Sequence, residues 1–339
     1  MEKIKICLFG RHRIQYYLIE LLHQLGFEKP IIILDKDSTY LRDKKILSLY
    51  NYYGDIEKLE KLNKVKILKG LDVNSHAFIK FLKKNKINLG FSIAARSIFK
   101  QDLINYFRGK FYNLHDSLLP KERGGGLNTW RILMNRMSVG NTIHCVDAGI
   151  DTGDLIIQKE IKLKKKLPKP IDYDYAQLEI SKKLLIKFFS NIKKGIFLKR
   201  VKQKSEYREY FGRLYTKING ALDVDLEPVE FERFVRAFSD PYEGAWVNIL
   251  NKVKVNIKEV EIVDTKKTYP FFSNGRIIKK EKNYVYLIVG RGLVKFKDIY
   301  INNKRTESTK LIKLNDILRN HQDILIKSKN TTLHISQFK

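Results

Sequence analysis

Asn113 and His115 stand two residues apart in the run Phe111-Tyr112-Asn113-Leu114-His115. An extended backbone therefore places both side chains on one face. Asp151 follows in Asp147-Ala148-Gly149-Ile150-Asp151-Thr152-Gly153-Asp154, a stretch rich in turn-forming residues. Between them lie Ser117-Leu118-Leu119-Pro120 and Arg123-Gly124. Amide, imidazole and carboxylate are the groups needed to move a proton while stabilising a developing oxyanion. Each alone reads as a polar residue satisfying a strand end; their combination argues for chemistry. Asp154, the second acid of the turn, reads as a brace for the loop. The alternative chemistry is a metal site from His115, His144, Asp147 and Asp151, but no helix-spaced His pair or Cys cluster supports it, and no metal is expected.

The elements that must position these groups are legible in the pattern. Residues 4–9 are β-prone and end at Gly10, and residues 14–26 carry Ile14, Leu18, Leu21, Leu22 and Leu25 at helical spacing. Residues 31–34 form a short buried strand followed by Asp35. Strand and helix signals alternate again over 65–68, 76–84, 89–94 and 101–107, before the strand at 111–115. This predicts an α/β class: a Rossmann-like, doubly wound, mostly parallel sheet, with Asn113 and His115 at the carboxyl end where ligands sit. Gly10 has one glycine where a dinucleotide fingerprint needs three, so NAD is not expected. A phosphate of the substrate near Gly10, Arg11 and the following helix remains compatible. Strands are expected at 142–146 and 155–161, and a helix over 173–192. After a short helix around 231–238 come β-like runs at 245–250, 253–263, 276–280, 284–289 and 293–300, punctuated by glycine, which predict a smaller β-rich barrel or meander. The tail beyond Leu314 is polar with helical character. The boundaries expected are a catalytic domain over 1–205, a linker over 206–226 and a C-terminal β-rich domain over 227–339.

The 339 residues carry a formal net charge of +29. That suits a polyanionic partner, yet lysine is spread over the whole chain, as genome bias alone would produce. Cys7 and Cys145 make no disulfide framework, so a reducing compartment fits. The opening apolar run is too short for a signal peptide, and no stretch approaches the roughly 20 apolar residues of a membrane span. A cytoplasmic protein without a membrane partner is expected.

The segments Asn113-Leu114-His115-Asp116-Ser117-Leu118-Leu119-Pro120, Arg123-Gly124 and Gly149-Ile150-Asp151-Thr152-Gly153-Asp154 resemble the formyltransferase superfamily, in order and in spacing. The later runs Tyr210-Phe211-Gly212-Arg213 and 235–246 resemble the C-terminal domain of methionyl-tRNA formyltransferases. The resemblance implies transfer of a formyl group from N10-formyltetrahydrofolate to an amine, with Asn113, His115 and Asp151 catalytic. It implies that a pterin is recognised through the loops holding Ala95, Arg96, Ser97 and Ile98, and Val146, Asp147, Gly149 and Ile150, largely by main-chain groups. It also implies a cis bond at Leu119–Pro120, against the trans form usual for X–Pro. The acceptor is less plain. Methionyl-tRNA enzymes usually follow Arg-Gly with Ala-Ala-Pro, where this chain has Gly125-Gly126-Leu127. They also carry a basic insertion near Asp35, where this chain has 37–43 and the Tyr-rich 47–53. A nucleotide-linked amino sugar, as in glycan or lipopolysaccharide biosynthesis, is therefore the expected acceptor, with methionyl-tRNA the alternative. A non-catalytic folate- or nucleotide-binding protein of the same fold is the second alternative, and a homodimer is left open.

Overall fold

A computed structural model describes residues 3–36, 56–250, 253–266 and 268–335; the segments 37–43 and 47–53 singled out above lie outside them. The chain begins β1 Ile6–Phe9, α1 Ile14–Gln24, β2 Ile31–Leu34, α2 Ile56–Lys61, β3 Lys66–Lys69, α3 His76–Lys84, β4 Leu89–Ile93, α4 Gln101–Tyr106 and β5 Phe111–His115. It continues with β6 Arg123–Gly124, α5 Leu127–Leu133, β7 Ser138–Cys145, β8 Leu155–Lys162 and α6 Pro170–Lys193. Among the described residues, seven strands join in the order β3-β2-β1-β4-β5-β7-β8. The first five run parallel, and β7 and β8 add antiparallel.

Every residue of β1, β2 and β4 is buried. That is why these strands read as unbroken apolar runs: helices cover both faces of the sheet. One face packs Leu8, Leu18, Ile32, Phe91, Leu114 and Phe189 together. The other packs Phe9, Ile33, Phe78, Leu103, Phe107 and Phe111. β3, at the edge, begins and ends in lysine, which discourages pairing with another chain. Helix α6 starts at Pro170, three residues before the expected position, because proline suits a first helical turn and Asp172 accepts from the Lys169 amide at 2.7 Å.

Strand order reverses between β1 and β4, which opens a crevice beyond their carboxyl ends. There Gly10, at φ +91°, lets two loops meet: a Cβ on it would stand 2.2 Å from the Ile93 carbonyl.

The second half holds β9 Glu209–Phe211, α7 Thr216–Asn219, α8 Pro228–Ala237, β10 Ala245–Asn248, β11 Lys254–Ile257, β12 Glu261–Asp264 and β13 Ile277–Glu281. It ends with β14 Tyr284–Val289, β15 Gly292–Phe296, β16 Asp298–Ile301, β17 Lys304–Glu307, α9 Ser308–Leu311, α10 Gln322–Ser328 and β18 Leu333–Ile335. Two four-stranded sheets form, β10-β11-β16-β17 and β12-β15-β14-β13. The runs 253–263 and 293–300, each read as one strand, are in fact broken. Each bends and passes from one sheet to the other, which makes the corners of a barrel-like sandwich. The stretch 206–226 contains β9 and α7, and β9 sits in a third sheet between β6 and β18. The apolar core is continuous from the seven-stranded sheet through Ile132 to Phe231, Val255 and Phe296. Among the described residues no helix is long and apolar enough to cross a membrane.

Candidate active site

β5 carries Asn113 and His115 to the sheet's carboxyl edge. Its antiparallel neighbour β7 sets His144 opposite Asn113 and Thr142 opposite His115. The chain then turns through 146–154 and comes back as β8. Asp151 takes a left-handed backbone, φ 54°, inside this turn. Gly153 is required there, since a Cβ would stand 2.0 Å from the Cys145 carbonyl. Gln203 ties the turn down, its Nε2 donating to the Asp151 and Gly153 carbonyls at 2.9 and 2.7 Å.

The three residues picked from sequence meet. Asp151 Oδ1 lies 3.6 Å from His115 Nδ1, an ion-pair distance longer than a hydrogen bond. Asp151 Oδ2 accepts from the Gly124 amide at 3.2 Å. His115 Nε2 contacts the Glu122 carbonyl at 3.0 Å. A carbonyl only accepts, so Nε2 carries a proton and Nδ1 is the nitrogen turned to Asp151.

A fourth residue, considered from sequence only as a metal ligand, joins them. His144 Nδ1 donates to the Cys145 carbonyl at 2.7 Å. Burial pushes this ring's pKa down to about 4, with Asp151 opposing the shift. The ring is therefore neutral near pH 7, and its free Nε2 accepts from Asn113 Nδ2 at 3.1 Å. That bond decides which way the Asn113 amide faces. The same Nε2 lies 3.7 Å from Asp151 Oδ1. Among the described residues no three His, Cys, Asp or Glu are grouped to hold a metal ion.

Beneath His115, Arg131 is 1% exposed and donates to Glu122 Oε2 through Nε and Nη2, at 2.9 and 2.6 Å. Burial opposes ionisation of Glu122, but Arg131 and Arg136 hold its carboxyl below the usual range. Arg131 also donates to the Asp116 carbonyl at 2.7 Å, so one guanidinium supports the loops on both sides of the imidazole. Loss of water raises the Asp116 carboxyl, which accepts from Asn141 Nδ2 at 3.1 Å. Across the cleft Asp174, ion-paired with Arg13, is pushed up to about 6 by burial.

Asn113, His115, Asp116, His144, Asp151 and Asp174 line a cleft of about 590 Å³, within the range of small-molecule sites. Ala95, Arg96, Ile98, Val146, Asp147, Gly149 and Ile150 all line it, as does Arg11. Gly10 does not; it lies behind the wall, where its carbonyl accepts from Gln15 Nε2 at 2.8 Å. Ile98 is 73% exposed at the mouth. Asp35 shapes the loop at 95–98, accepting from the Arg96 amide at 3.1 Å and the Ser97 hydroxyl at 2.6 Å. Tyr210, Arg213 and Tyr242 also reach the wall; they come from segments too far along the chain for local pattern to connect. The Leu119–Pro120 bond is cis.

A family model described as formyl transferase matches residues 72–172, and a second, formyl transferase C-terminal domain, matches 215–322. The bifunctional polymyxin resistance protein ArnA of Wigglesworthia glossinidia brevipalpis is 25% identical over 74% of this chain, which spans only 36% of that protein's length. A methionyl-tRNA formyltransferase of Agathobacter rectalis is 22% identical, over 86% of this chain and 90% of its own. In fold, the chain resembles WlaRD, a sugar 3N-formyl transferase solved with dTDP and 5-N-formyl-THF, at TM-score 0.61 and 21% identity over 87% of this chain and 97% of that one. It likewise resembles an N-formyltransferase from Helicobacter canadensis in complex with folinic acid and dTDP-3-aminofucose, at TM-score 0.63 and 19% identity over 88% and 100%. Two matching family models, a mostly parallel sheet followed by a β-rich half, and a cleft built on β5, β7 and the 146–154 turn give one conclusion: the chain belongs to the formyltransferase superfamily and is an N-formyltransferase.

Proposed function

We propose that this enzyme moves a formyl group from N10-formyltetrahydrofolate to the amino group of a nucleotide-linked amino sugar, with Asn113, His115 and Asp151 as catalytic residues. One observation carries the reading: amide, imidazole and carboxylate converge on a cleft whose wall at Ala95, Ile98, Val146 and Ile150 suits a flat pterin. Residues 95–98 and 146–150 line the same wall, and their main-chain amides and carbonyls are the proposed partners of the ring edge.

The donor supplies an activated formyl carbon. When an amine adds to that carbon, its oxygen becomes an oxyanion and the amine nitrogen holds a surplus proton. The Asn113 amide, oriented by His144, donates to that oxygen. With Nε2–H committed to the Glu122 carbonyl, His115 can donate only through Nδ1, as an imidazolium facing Asp151. Asp151, through one water, takes the amine proton and passes it to the departing folate nitrogen, so the carbon–nitrogen bond to the donor breaks without a charged leaving group.

For the acceptor, Gly126 caps α5 at φ +69°, a backbone that suits glycine and strains alanine, so this loop departs from the Ala-Ala-Pro form. Arg213 lines the cleft and offers positive charge to a diphosphate; Arg11 lines it too, with its guanidinium paired to Glu57 at 2.9 Å. Methionyl-tRNA is the second reading, favoured by the sequence relatives and by the charge of +29. Product mass after incubation with donor and either a panel of amino sugar nucleotides or charged initiator tRNA decides between them. The sugar reading expects a gain of one formyl on a sugar nucleotide, with turnover that varies little with salt. Formylation of tRNA alone, falling steeply as salt rises, overturns it.

A further inference from the structure

β18, the last described strand, buries little. Leu333 is 49% exposed, and no residue of the strand is fully buried. Apolar burial therefore does not account for its place; backbone pairing does. Leu333, His334 and Ile335 lie opposite Phe211, Tyr210 and Glu209 of β9. The Gly212 amide donates to the Thr332 carbonyl at 2.6 Å. Gly212 has no room for a Cβ, which would stand 2.9 Å from the Thr332 amide nitrogen. Nearby, Asn219 Nδ2 donates to the Ser328 carbonyl at 2.7 Å, anchoring the chain just before the strand.

On its other edge β9 holds β6, with Arg123 opposite Tyr210 and Gly124 opposite Phe211. The Gly125 amide donates to Phe211 at 3.0 Å, and the Glu209 amide to Pro120 at 3.2 Å. This is the loop that touches the site twice: Gly124 donates to Asp151, and the Glu122 carbonyl holds His115. A two-residue and a three-residue strand make a marginal ribbon; a third strand makes a sheet.

We propose that β18 is a strut for the active site: through β9 and β6 it positions Asp151 and His115, so the rate of formyl transfer depends on it while donor binding does not. The donor wall at 95–98 follows β4 and is held by Asp35, and the wall at 146–150 follows directly from β7, with Gln203 tying the far end of its turn. The inference rests on the proposed roles of His115 and Asp151.

Two variants test it: a chain ending at Asn330, and His334→Pro. The bond between Gly212 and Thr332 makes Tyr210 and His334 the next hydrogen-bonded pair, so proline at 334 removes a ladder donor. kcat, folinic acid affinity, thermal melting and hydrogen exchange over 205–213 are measured on both and on the unaltered chain. The strut expects kcat to fall about tenfold or more, since small misplacements cost that much. It also expects folinic acid affinity to stay within about twofold, and exchange at 209–212 to speed up. Full kcat in the shortened chain overturns it. So does loss of folinic acid binding in step with kcat, which would make the strand a general folding element. Should the shortened chain not fold, His334→Pro decides by the same criteria. An unaltered chain that formylates no amine overturns the proposed function instead.

Discussion

The region around β5 and β7 and the paired sheets β10 to β17 handle polar groups in opposite ways. Between residues 110 and 181, His115, Glu122, Arg131, Asn141, His144, Asp174 and Gln177 are all buried. Across residues 245–307, the buried polar side chains among the described residues are Ser273 and Asn274, with no charge among them. Burying an ion costs several kcal/mol unless partners compensate, and here Arg131 is paired with Glu122 and Asp174 with Arg13. The core of the second region is apolar, with Val255, Leu287, Val294 and Phe296 at its centre. One half of the molecule thus sets up reactive groups at a cost in stability, and the other packs without that cost.

Substitutions can sharpen that contrast or break it. The largest effect is expected at His115→Ala, with a fall in kcat of about 10²–10⁴ and a melting temperature close to that of the unaltered chain. Near-normal turnover would remove His115 from the chemistry. Next, Arg131→Met removes the closer of two arginines from buried Glu122 and leaves it Arg136 at 3.3 Å, and denaturant titration should show a loss of about 3–5 kcal/mol. A loss under about 1 kcal/mol would mean the buried pair is not what holds this loop.

His144→Leu removes the acceptor that orients Asn113 and should lower kcat about tenfold. It also alters the response to pH. The ring titrates near 4 in the folded chain against an ordinary 6.5. The unfolded chain therefore binds more protons between those values, and stability drops as pH falls through that window. His12, also pushed down by burial, acts in the same direction. The leucine variant should accordingly show a shallower loss of stability between about pH 6.5 and 4, read from melting curves. An unchanged slope would count against a buried neutral ring. The smallest effect is expected in the second region, at Phe272→Ser. That side chain is 82% exposed, and its replacement should change stability by no more than about 0.5 kcal/mol.

Much of the fold was legible because its signals are local. β1, β2 and β4 are runs that only a doubly covered sheet buries, and α1 shows its apolar stripe directly. The candidate site was legible where two groups share one strand, as Asn113 and His115 do. His144 went unrecognised in its present role because the pairing of β5 with β7, and not any spacing along the chain, sets it beside Asn113. Asp35 looked like a strand end, and its hold on the loop at 95–98 depends on β1 and β4 bringing the two together. The broken runs at 253–263 and 293–300 failed for a related reason: alternation marks a strand but not which sheet it joins.

Sequence by itself determined the candidate catalytic groups, the alternation of strand and helix, and the family, since these depend on residue type and short-range spacing. Tertiary structure alone decided the tautomers of His115 and His144, the reach of Tyr210 and Tyr242 into the cleft, and the support of Gly124 by a strand more than two hundred residues away. A hydrogen-bond partner is a matter of distance and angle, and those exist only once the chain has closed on itself.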